Sequence, residues 1–367
     1  MAKLTSMITV TKSFLPPIEE YMSFVQRAYN NEWLTNRGDL VKELEQKLSD
    51  YLELEDSKII CMNNGTIPLQ IALKLLGNGG EVITTPFSYV ATTASIVWEN
   101  CTPVFVDINP EYLTIDEAKI EAAITEKTTC ILATHVFGNP CNIEEIERIA
   151  KKHNIKVIYD AAHCFGVKYK GKSIFEYGDV STCSFHATKL FHTGEGGAFF
   201  TKNNKLFDNA FLGHSFGHKG DEYFSLGINA KMSELSAAMG LSVLKYIEFI
   251  LNERRKVVNF YLENLNFIKL NLLKFKESYN WNYSYFPVIF NTERELIKVY
   301  VELEKNEIFG RRYFYPSLNT LNEKLGFGYI KTPISEDISS RILCLPIYGG
   351  LEEKEIVRIV EIINSVL

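Results

Sequence analysis

The chain has 367 residues, of which 46% are hydrophobic and 23% charged, with 22 glycines and 11 prolines. This is the composition of an ordinary folded globular protein, and it excludes a disordered, collagen-like or small disulfide-stapled chain. The 39 basic and 45 acidic side chains give a net charge of −6 without a long single-sign run, so the basic face that nucleic-acid binding requires is missing.

The sequence also indicates a cellular compartment. Its first residues, MAKLTSMITVTKSFLPP, lack a sustained apolar segment, and no run of about 18 apolar residues occurs anywhere. The seven cysteines are scattered and show no C-x-x-C spacing, which is typical of small core residues in a reducing environment. We therefore predict a soluble cytoplasmic protein with no membrane partner.

The first part of the sequence shows apolar residues at helical spacing. It predicts a helix over 17–30 and a second from Asp39 to 52, whose buried face would carry Leu40, Leu44 and Leu48. From residue 58, strands and helices alternate as KIICM and TIPLQIALKLL, EVITT and VATTASIVWE, TPVFVDI and IDEAKIEAAI, TTCILATHV and IEEIERIAKKH, and finally IKVIYD. This α/β pattern predicts a mainly parallel sheet with helices on both faces.

The alternation stops near residue 180. The runs DVSTCSF and GGAFFT are two strands separated by a loop that contains Lys189. A long helix is then expected from Lys231 into the 250s, leading to a second domain of mixed strands and helices. The predicted domains are 1–254, the large one, and 255–367, a smaller α+β domain. The buried stripe of the long helix would consist of Met232, Leu235, Met239 and Leu244.

Several common motifs are missing. No G-x-x-x-x-G-K-[ST], H-E-x-x-H, G-x-S-x-G or dinucleotide fingerprint occurs, so nucleotide hydrolysis, zinc proteolysis and simple NAD chemistry lose their usual support. His214 and His218 stand four residues apart, as metal ligands on a helix would. The glycine-rich GHSFGHKG around them indicates a loop, and we predict no metal site.

The segment NNGT (63–66) lies between a predicted strand and an amphipathic helix. Gly65 permits a close backbone approach, Thr66 is placed to cap the helix, and the free N–H groups of the first turn suit an anion such as phosphate. A glycine turn with a threonine cap is also common without any ligand.

The strand IKVIYD delivers Asp160 at its carboxyl end, and His163 follows three residues later. Ligands of open α/β sheets bind at that edge, so the carboxylate is placed to face one. A carboxylate that only caps a helix would occupy the same position.

Two further turns carry candidate residues. Lys189 lies in SFHATKLFHTGEGG (184–197), whose small and apolar residues indicate an enclosed site favouring the nucleophilic free amine. TTPFSYVATTAS (84–95) places Tyr89 at a strand-to-helix turn, where its ring could cover a flat ligand. A solvated surface lysine and an aromatic core residue are the alternatives.

Together these features offer a phosphate-binding turn, an aromatic wall, a carboxylate and an amine. Pyridoxal 5′-phosphate (PLP) needs this set, because its aldehyde condenses with a lysine, its protonated ring nitrogen pairs with a carboxylate and its phosphate accepts backbone hydrogen bonds. The order of the features along the chain resembles that of fold-type I PLP enzymes.

Over nearly its whole length the chain resembles the DegT/StrS-type nucleotide-sugar aminotransferases. The matching segments are WLTNRG (33–38), NNGT, TPFSYVAT, VFGNP (136–140), DAAHCFG, SFHATK, EGGAFFT (195–201), GINAKMSELSAAMG (227–240) and LPIYGGL (345–351). The resemblance implies the aminotransferase fold, with a large mixed-sheet domain and a smaller α+β domain.

The resemblance also implies a role for each matching residue. Lys189 would form the Schiff base with PLP and shuttle the proton, Asp160 would hold the pyridinium nitrogen, and His163 would adjoin the ring hydroxyl. The remaining cofactor contacts would be Gly65, Thr66, Ser184 and, stacked on the ring, Tyr89, with Asn229 contributed by the neighbouring subunit of a homodimer. The candidate contacts to the sugar and diphosphate are Thr35, Gly38, Arg312, Tyr313 and Tyr315.

The implied reaction has two halves: L-glutamate converts PLP to pyridoxamine phosphate, and a nucleotide-linked keto-sugar then takes the amino group. FHATK, in place of the Y-P-G-K pattern of 3-aminating relatives, favours conversion of dTDP-4-keto-6-deoxyglucose to dTDP-4-amino-4,6-dideoxyglucose for O-antigen or a related glycan. Amination at C3 of a dTDP-3-keto-6-deoxyhexose and a non-catalytic PLP-binding regulator are the alternatives. GHSFG (213–217) and Lys231 depart from the usual family pattern, which leaves the acceptor open.

Overall fold

The computed structural model describes residues 7–275 and 279–367. Its helices are α1 (Ile18–Asn30), α2 (Asp39–Tyr51), α3 (Thr66–Leu76), α4 (Val90–Trp98), α5 (Glu117–Ile120), α6 (Ile143–His153), α7 (Asn204–Gly213), α8 (Glu234–Leu244), α9 (Ile247–Asn264), α10 (Glu293–Lys305), α11 (Asn322–Leu325), α12 (Pro333–Arg341) and α13 (Glu353–Val366). Its strands are β1 (Ile8–Thr9), β2 (Lys58–Met62), β3 (Glu81–Thr84), β4 (Thr102–Phe105), β5 (Thr128–Thr134), β6 (Lys156–Asp160), β7 (Lys168–Tyr169), β8 (Lys172–Ser173), β9 (Val180–Ser184), β10 (Gly197–Thr201), β11 (His218–Lys219), β12 (Glu222–Tyr223), β13 (Leu270–Asn271), β14 (Phe286–Phe290), β15 (Ile308–Phe309) and β16 (Ile342–Leu345). Among these residues, no helix combines the length and apolar character needed to cross a membrane.

The large sheet has the strand order β2-β10-β9-β6-β5-β3-β4. Neighbouring strands are parallel except at β10, which runs antiparallel to both β2 and β9. Helices lie in the connections from β2 through β6, whereas the short hairpin β7-β8 and a 3₁₀ turn (Ile174–Glu176) lie between the parallel strands β6 and β9. The loop 185–196 between β9 and β10 contains no helix and reverses the chain. The prediction of a mainly parallel mixed sheet is confirmed.

Helices cover both faces of this sheet. Along β5 the side chains alternate, so that Cys130 and Leu132 join one buried apolar cluster and Ile131 and Ala133 join the other. Helices α1 and α2 pack on α8 over one face, while α3 and α7 pack together over the opposite face. The predicted buried face of α2 is confirmed. All seven cysteines are buried, and none of them forms a disulfide.

A third apolar cluster lies in the C-terminal part of the chain, around the antiparallel sheet β13-β14-β16. Helix α9 joins this cluster to the large sheet, because Ile247 and Ile250 belong to the cluster that contains Ile131, whereas Val257 and Tyr261 belong to the C-terminal one. The predicted boundary between residues 254 and 255 falls inside this helix.

The helix predicted from Lys231 is two helices, α8 and α9. The chain turns at Lys245 and Tyr246, where the Tyr246 N–H donates to the Val243 carbonyl (2.9 Å) and both side chains bind Glu20 of α1. The predicted buried stripe is also wrong in part. Met232 precedes α8, which begins at Glu234, and Leu235 is 38% exposed.

The helix predicted over 115–124 is shorter than expected. Only Glu117–Ile120 is α-helical, and Glu121–Ala123 forms a single 3₁₀ turn.

Candidate active site

A cavity of about 230 Å³ lies at the carboxyl ends of the parallel strands. Its lining includes seven of the residues that the sequence predicts for the cofactor: Gly65, Thr66, Tyr89, Asp160, His163, Ser184 and Lys189. Segments more than a hundred residues apart in the sequence thus meet at one edge of the sheet, where open α/β sheets bind ligands.

Asp160 ends β6 and is only 6% exposed. Its carboxylate accepts a hydrogen bond from the Thr92 hydroxyl (2.6 Å) and another from the Ala162 N–H (3.1 Å). Burial raises the pKa of Asp160, while these two donors and the nearby charge of Lys189 favour the ionised form. A buried carboxylate in this setting is completed by a cationic partner, such as a protonated ring nitrogen.

His163 lies beside Asp160 and is 5% exposed. Its Nδ1 accepts a hydrogen bond from the Phe137 N–H (3.2 Å), which leaves the proton of the neutral ring on Nε2. Burial lowers the pKa of His163 well below its usual range, and the charges of Lys189 and Arg311 lower it further. The ring is therefore neutral at physiological pH and presents one N–H donor.

Lys189 lies in the loop between β9 and β10. Buried Phe185 and Phe191 anchor this loop, and the Lys189 backbone N–H donates to the His186 carbonyl (2.8 Å). The Lys189 Nζ lies 5.8 Å from the centroid of the Tyr285 ring. The amine thus enters a cavity with an aromatic wall, and it is not a freely solvated surface charge.

The turn before α3 differs in one detail from the prediction. The side chain of Asn64, not that of Thr66, caps the helix, because its Oδ1 accepts from the N–H groups of Thr66 (2.9 Å) and Ile67 (3.0 Å). Gly65 packs directly against β9, where an added Cβ would lie 2.6 Å from the Ser184 Cβ. Thr66 and Ser184 both line the cavity next to this close contact.

Thr35 and Gly38 lie outside the cavity. Thr35 is exposed, whereas Gly38 is buried where an added Cβ would come within 2.7 Å of the Glu234 side chain. That carboxylate accepts from the N–H groups of Leu40 (2.7 Å) and Val41 (3.2 Å) at the start of α2. Gly38 therefore has a structural reason to be glycine that involves no substrate.

Of the three predicted residues near the second domain, Tyr313 lines the cavity and Arg312 and Tyr315 do not. The Arg312 guanidinium pairs with Glu293 (2.6 Å) and lies 3.5 Å from the centroid of Tyr315. Arg311 and Phe314 line the cavity beside Tyr313, whereas Glu293 and Tyr315 hold the Arg312 side chain elsewhere.

Arg311 is thus a cavity residue that the sequence analysis missed. It forms an antiparallel bridge with Cys344 of β16, and its guanidinium lies 4.4 Å from the centroid of Tyr313. It stands directly before Arg312, and no sequence signal distinguishes the two arginines.

Asn229 also lies outside this cavity. It is exposed and bridges to Ser215, and its carbonyl accepts from the Asn63 side chain (3.5 Å). Within this chain it contributes nothing to the cavity wall.

Comparisons with known proteins agree with this geometry. Residues 18–364 match the model of the DegT/DnrJ/EryC1/StrS aminotransferase family. A dTDP-4-amino-4,6-dideoxy-D-glucose transaminase of Shigella dysenteriae is 39% identical over 98% of this chain and 99% of its own length. A dTDP-3-amino-3,6-dideoxy-alpha-D-galactopyranose transaminase of Aneurinibacillus thermoaerophilus is 30% identical over 94% of this chain and 95% of its own.

Solved structures are similar throughout. The crystal structure of DesI in the presence of its TDP-sugar product superposes with a TM-score of 0.92 at 28% identity, covering 100% of this chain and 94% of that one. The PLP form of a putative sugar aminotransferase from Streptococcus pneumoniae gives 0.88 at 26% identity, covering 97% and 98%.

The chain therefore belongs to the DegT/DnrJ/EryC1/StrS family and is a PLP-dependent sugar aminotransferase. Its cavity fits the cofactor. An amine and a buried carboxylate face the same space, and the close contact of Gly65 with Ser184 leaves no room there for a larger side chain.

Proposed function

We propose that this aminotransferase moves the amino group of L-glutamate to C4 of dTDP-4-keto-6-deoxyglucose, producing dTDP-4-amino-4,6-dideoxyglucose and 2-oxoglutarate. The observation that carries the proposal is the convergence of Lys189 and Asp160 on one cavity next to the start of α3. The name of the 39% identical relative supports this choice of acceptor. The product would serve O-antigen or related glycan synthesis in the cytoplasm.

When bound, PLP supplies a carbonyl that carries the amino group and a ring that withdraws electrons from the reacting carbon. Lys189 would hold the cofactor and, as a free amine, take and return the proton at the substrate carbon. Asp160 would hold the ring nitrogen in its protonated form, and the neutral His163 would donate from Nε2 to the ring hydroxyl. Tyr89, which is 48% exposed, would cover one ring face at the mouth of the cavity.

The phosphate would lie at the opposite end of the cofactor. Gly65 and Thr66 at the start of α3 and the Ser184 hydroxyl at the end of β9 would hold it, and the positive end of the helix dipole adds to this attraction. Tyr313 would contact the sugar from the C-terminal part of the chain.

We also propose that a second copy of the chain completes the site through Asn229. This residue is exposed in a segment that presents apolar side chains to solvent, among them Phe224 (57% exposed) and Leu226 (87% exposed). A symmetric dimer would cover these side chains and place each Asn229 near the partner's phosphate site.

Mixing two damaged proteins tests the shared site. Lys189→Ala and Asn229→Ala homodimers should each be inactive or weak, whereas dissociating and reassociating them together should restore turnover. Random pairing gives about one intact site in four. Absence of recovery, with heterodimers detected by mass spectrometry, would contradict a shared site.

Incubation with the amino donor alone tests the first half of the reaction. The purified protein should be yellow, should bleach with L-glutamate and should regain its colour when the keto-sugar nucleotide is added. A protein that binds PLP but neither bleaches nor releases 2-oxoglutarate would be the non-catalytic regulator instead.

The product identifies the acceptor carbon. Incubation with dTDP-4-keto-6-deoxyglucose and L-glutamate, followed by NMR of the isolated sugar nucleotide, should show nitrogen at C4. The 30% identical relative is named for a 3-amino sugar, so C3 amination is the second candidate. Turnover of a dTDP-3-keto-6-deoxyhexose but not of the 4-keto sugar would establish that alternative.

A further inference from the structure

Three buried hydroxyl groups form a continuous series of hydrogen bonds, here called the hydroxyl chain, that ends on Asp160. The Thr134 Oγ1 lies 3.1 Å from the Ser88 Oγ, which lies 2.7 Å from the Thr92 Oγ1, and Thr92 donates to the Asp160 Oδ2 at 2.6 Å. The three hydroxyl residues are no more than 4% exposed. They come from β5, the turn after β3 and helix α4, so the fold has to bring three separate elements together to form this chain.

The ionised Asp160 carboxylate fixes the direction of every hydrogen bond in the hydroxyl chain. An ionised carboxylate only accepts hydrogen bonds, so the single hydroxyl proton of Thr92 is committed to Asp160. Thr92 therefore accepts from Ser88, and Ser88 in turn accepts from Thr134. All three hydroxyl dipoles point towards the carboxylate, and each bond polarises the next. A protonated Asp160 could itself donate to Thr92, and this alignment would then be lost.

The opposite side of the carboxylate is held by other groups. The Ala162 N–H donates to Oδ1, and Lys189 lines the same cavity from the loop between β9 and β10. Neutral His163 and the buried thiols of Cys164 and Cys183 are the other titratable neighbours. Among these groups, Thr92 at the end of the hydroxyl chain is the one that holds Oδ2, through a charge-assisted hydrogen bond.

We propose that Thr92, backed by Ser88 and Thr134, is a positioning residue that keeps Asp160 ionised and oriented toward the ring nitrogen of PLP. This inference rests on the proposed role of Asp160. Without Thr92, the shared proton would move from the ring nitrogen toward the carboxylate, and the cofactor would lose part of its electron-withdrawing power.

The test replaces Thr92 with valine, which has the same shape but no hydroxyl. PLP affinity is measured by titrating the apoprotein, and the protonation of the bound ring is measured by NMR with PLP labelled with ¹⁵N in the ring. Thr92→Val should weaken PLP binding about tenfold, the effect of losing one hydrogen bond to a charged group. It should also shift the ¹⁵N resonance toward the neutral ring.

Helix α4 supplies a matched control. Thr93 is equally buried, and its hydroxyl has no hydrogen-bond partner among the described residues, so Thr93→Val should leave both affinity and ¹⁵N resonance unchanged. Thr92→Ser keeps the hydroxyl and should restore the ¹⁵N resonance. Thr134→Val, two bonds further away, should change the affinity by only about twofold.

The possible results separate the two proposals. A wild-type ¹⁵N resonance in Thr92→Val, together with a neutral ring in Asp160→Asn, would overturn the role of Thr92 but leave that of Asp160 intact. A protonated ring in Asp160→Asn would overturn the role of Asp160 itself. Equal losses of affinity in Thr92→Val and Thr93→Val, without a resonance shift, would show a packing effect and overturn the inference.

Discussion

The contact between Gly65 and the end of β9 makes Gly65→Ala a quantitative test of the phosphate site. An added Cβ would lie 2.6 Å from the Ser184 Cβ, 2.8 Å from its Oγ and 2.9 Å from its Cα. Carbon atoms normally approach to about 3.5 Å, so the turn or the strand has to move by about 1 Å. Rotation of the Ser184 side chain cannot relieve this strain, because two of the three close atoms are its Cα and Cβ.

Overpacking of this kind costs about 1–3 kcal/mol. If the strain falls on the phosphate site, the affinity for PLP drops roughly 5- to 150-fold. The assay is titration of the apoprotein with PLP, followed by absorbance, together with urea unfolding of the apoprotein. Both the dissociation constant and the free energy of unfolding are compared with those of the wild-type protein.

Gly349→Ala is a suitable control, because among the described residues an added Cβ there would meet only the Glu253 side chain, at an ordinary contact distance of 3.6 Å. It should change neither quantity. A Gly65→Ala protein that binds PLP within twofold of wild type and unfolds within about 0.5 kcal/mol of it would show that the turn yields freely, and would refute the reasoning.

Three other substitutions test separate features. Lys189→Ala should abolish turnover and remove the PLP-labelled peptide seen after borohydride treatment; continued release of 2-oxoglutarate would contradict its role. Burial lowers the pKa of His214 from 6.5 to about 4, so the unfolded chain takes up a proton at a higher pH than the folded protein does. Roughly 3 kcal/mol of unfolding free energy is therefore lost as the pH falls from 6.5 to about 4. His214→Asn should flatten that decline in urea titrations, and an unchanged pH profile would refute the assignment. The Asn282 side chain donates to two backbone carbonyls of the segment 163–165, each at 2.9 Å, so Asn282→Ala should lower the unfolding free energy by about 2–4 kcal/mol. The control Asn271→Ala, at an exposed residue, should lower it by less than about 0.5 kcal/mol. Equal losses in the two variants would contradict this prediction.

The regular part of the fold could be predicted because its information is local. Apolar alternation and helical spacing recur within each βα unit, and strands such as Lys58–Met62 begin and end at the predicted residues. The turn between α8 and α9 could not be predicted, because it depends on contacts with Glu20, more than two hundred residues earlier in the chain.

The candidate site shows the same division. Lys189 and Asp160 could be found because each follows a recognisable strand, and the family resemblance supplied their roles. The partners of Asp160 could not be found, since Thr92 lies 68 residues away in sequence and a threonine inside a helix shows no sign of its hydrogen bond. Arg311 and Arg312 are adjacent in the sequence, and the sequence does not show which of the two side chains lines the cavity.

The wall of the cavity limits how this chain could be recombined with a relative. Tyr285, Arg311 and Tyr313 come from beyond α9, whereas Lys189 comes from the loop between strands β9 and β10 of the large sheet. Arg254 inside that helix is buried and donates to the carbonyls of 283 (2.9 Å) and 284 (2.6 Å), the two residues just before Tyr285. A chimera joined at residue 254 would take Lys189 from one protein and the aromatic residues that face it from the other. Exchanging either part alone would therefore separate side chains that line the same cavity.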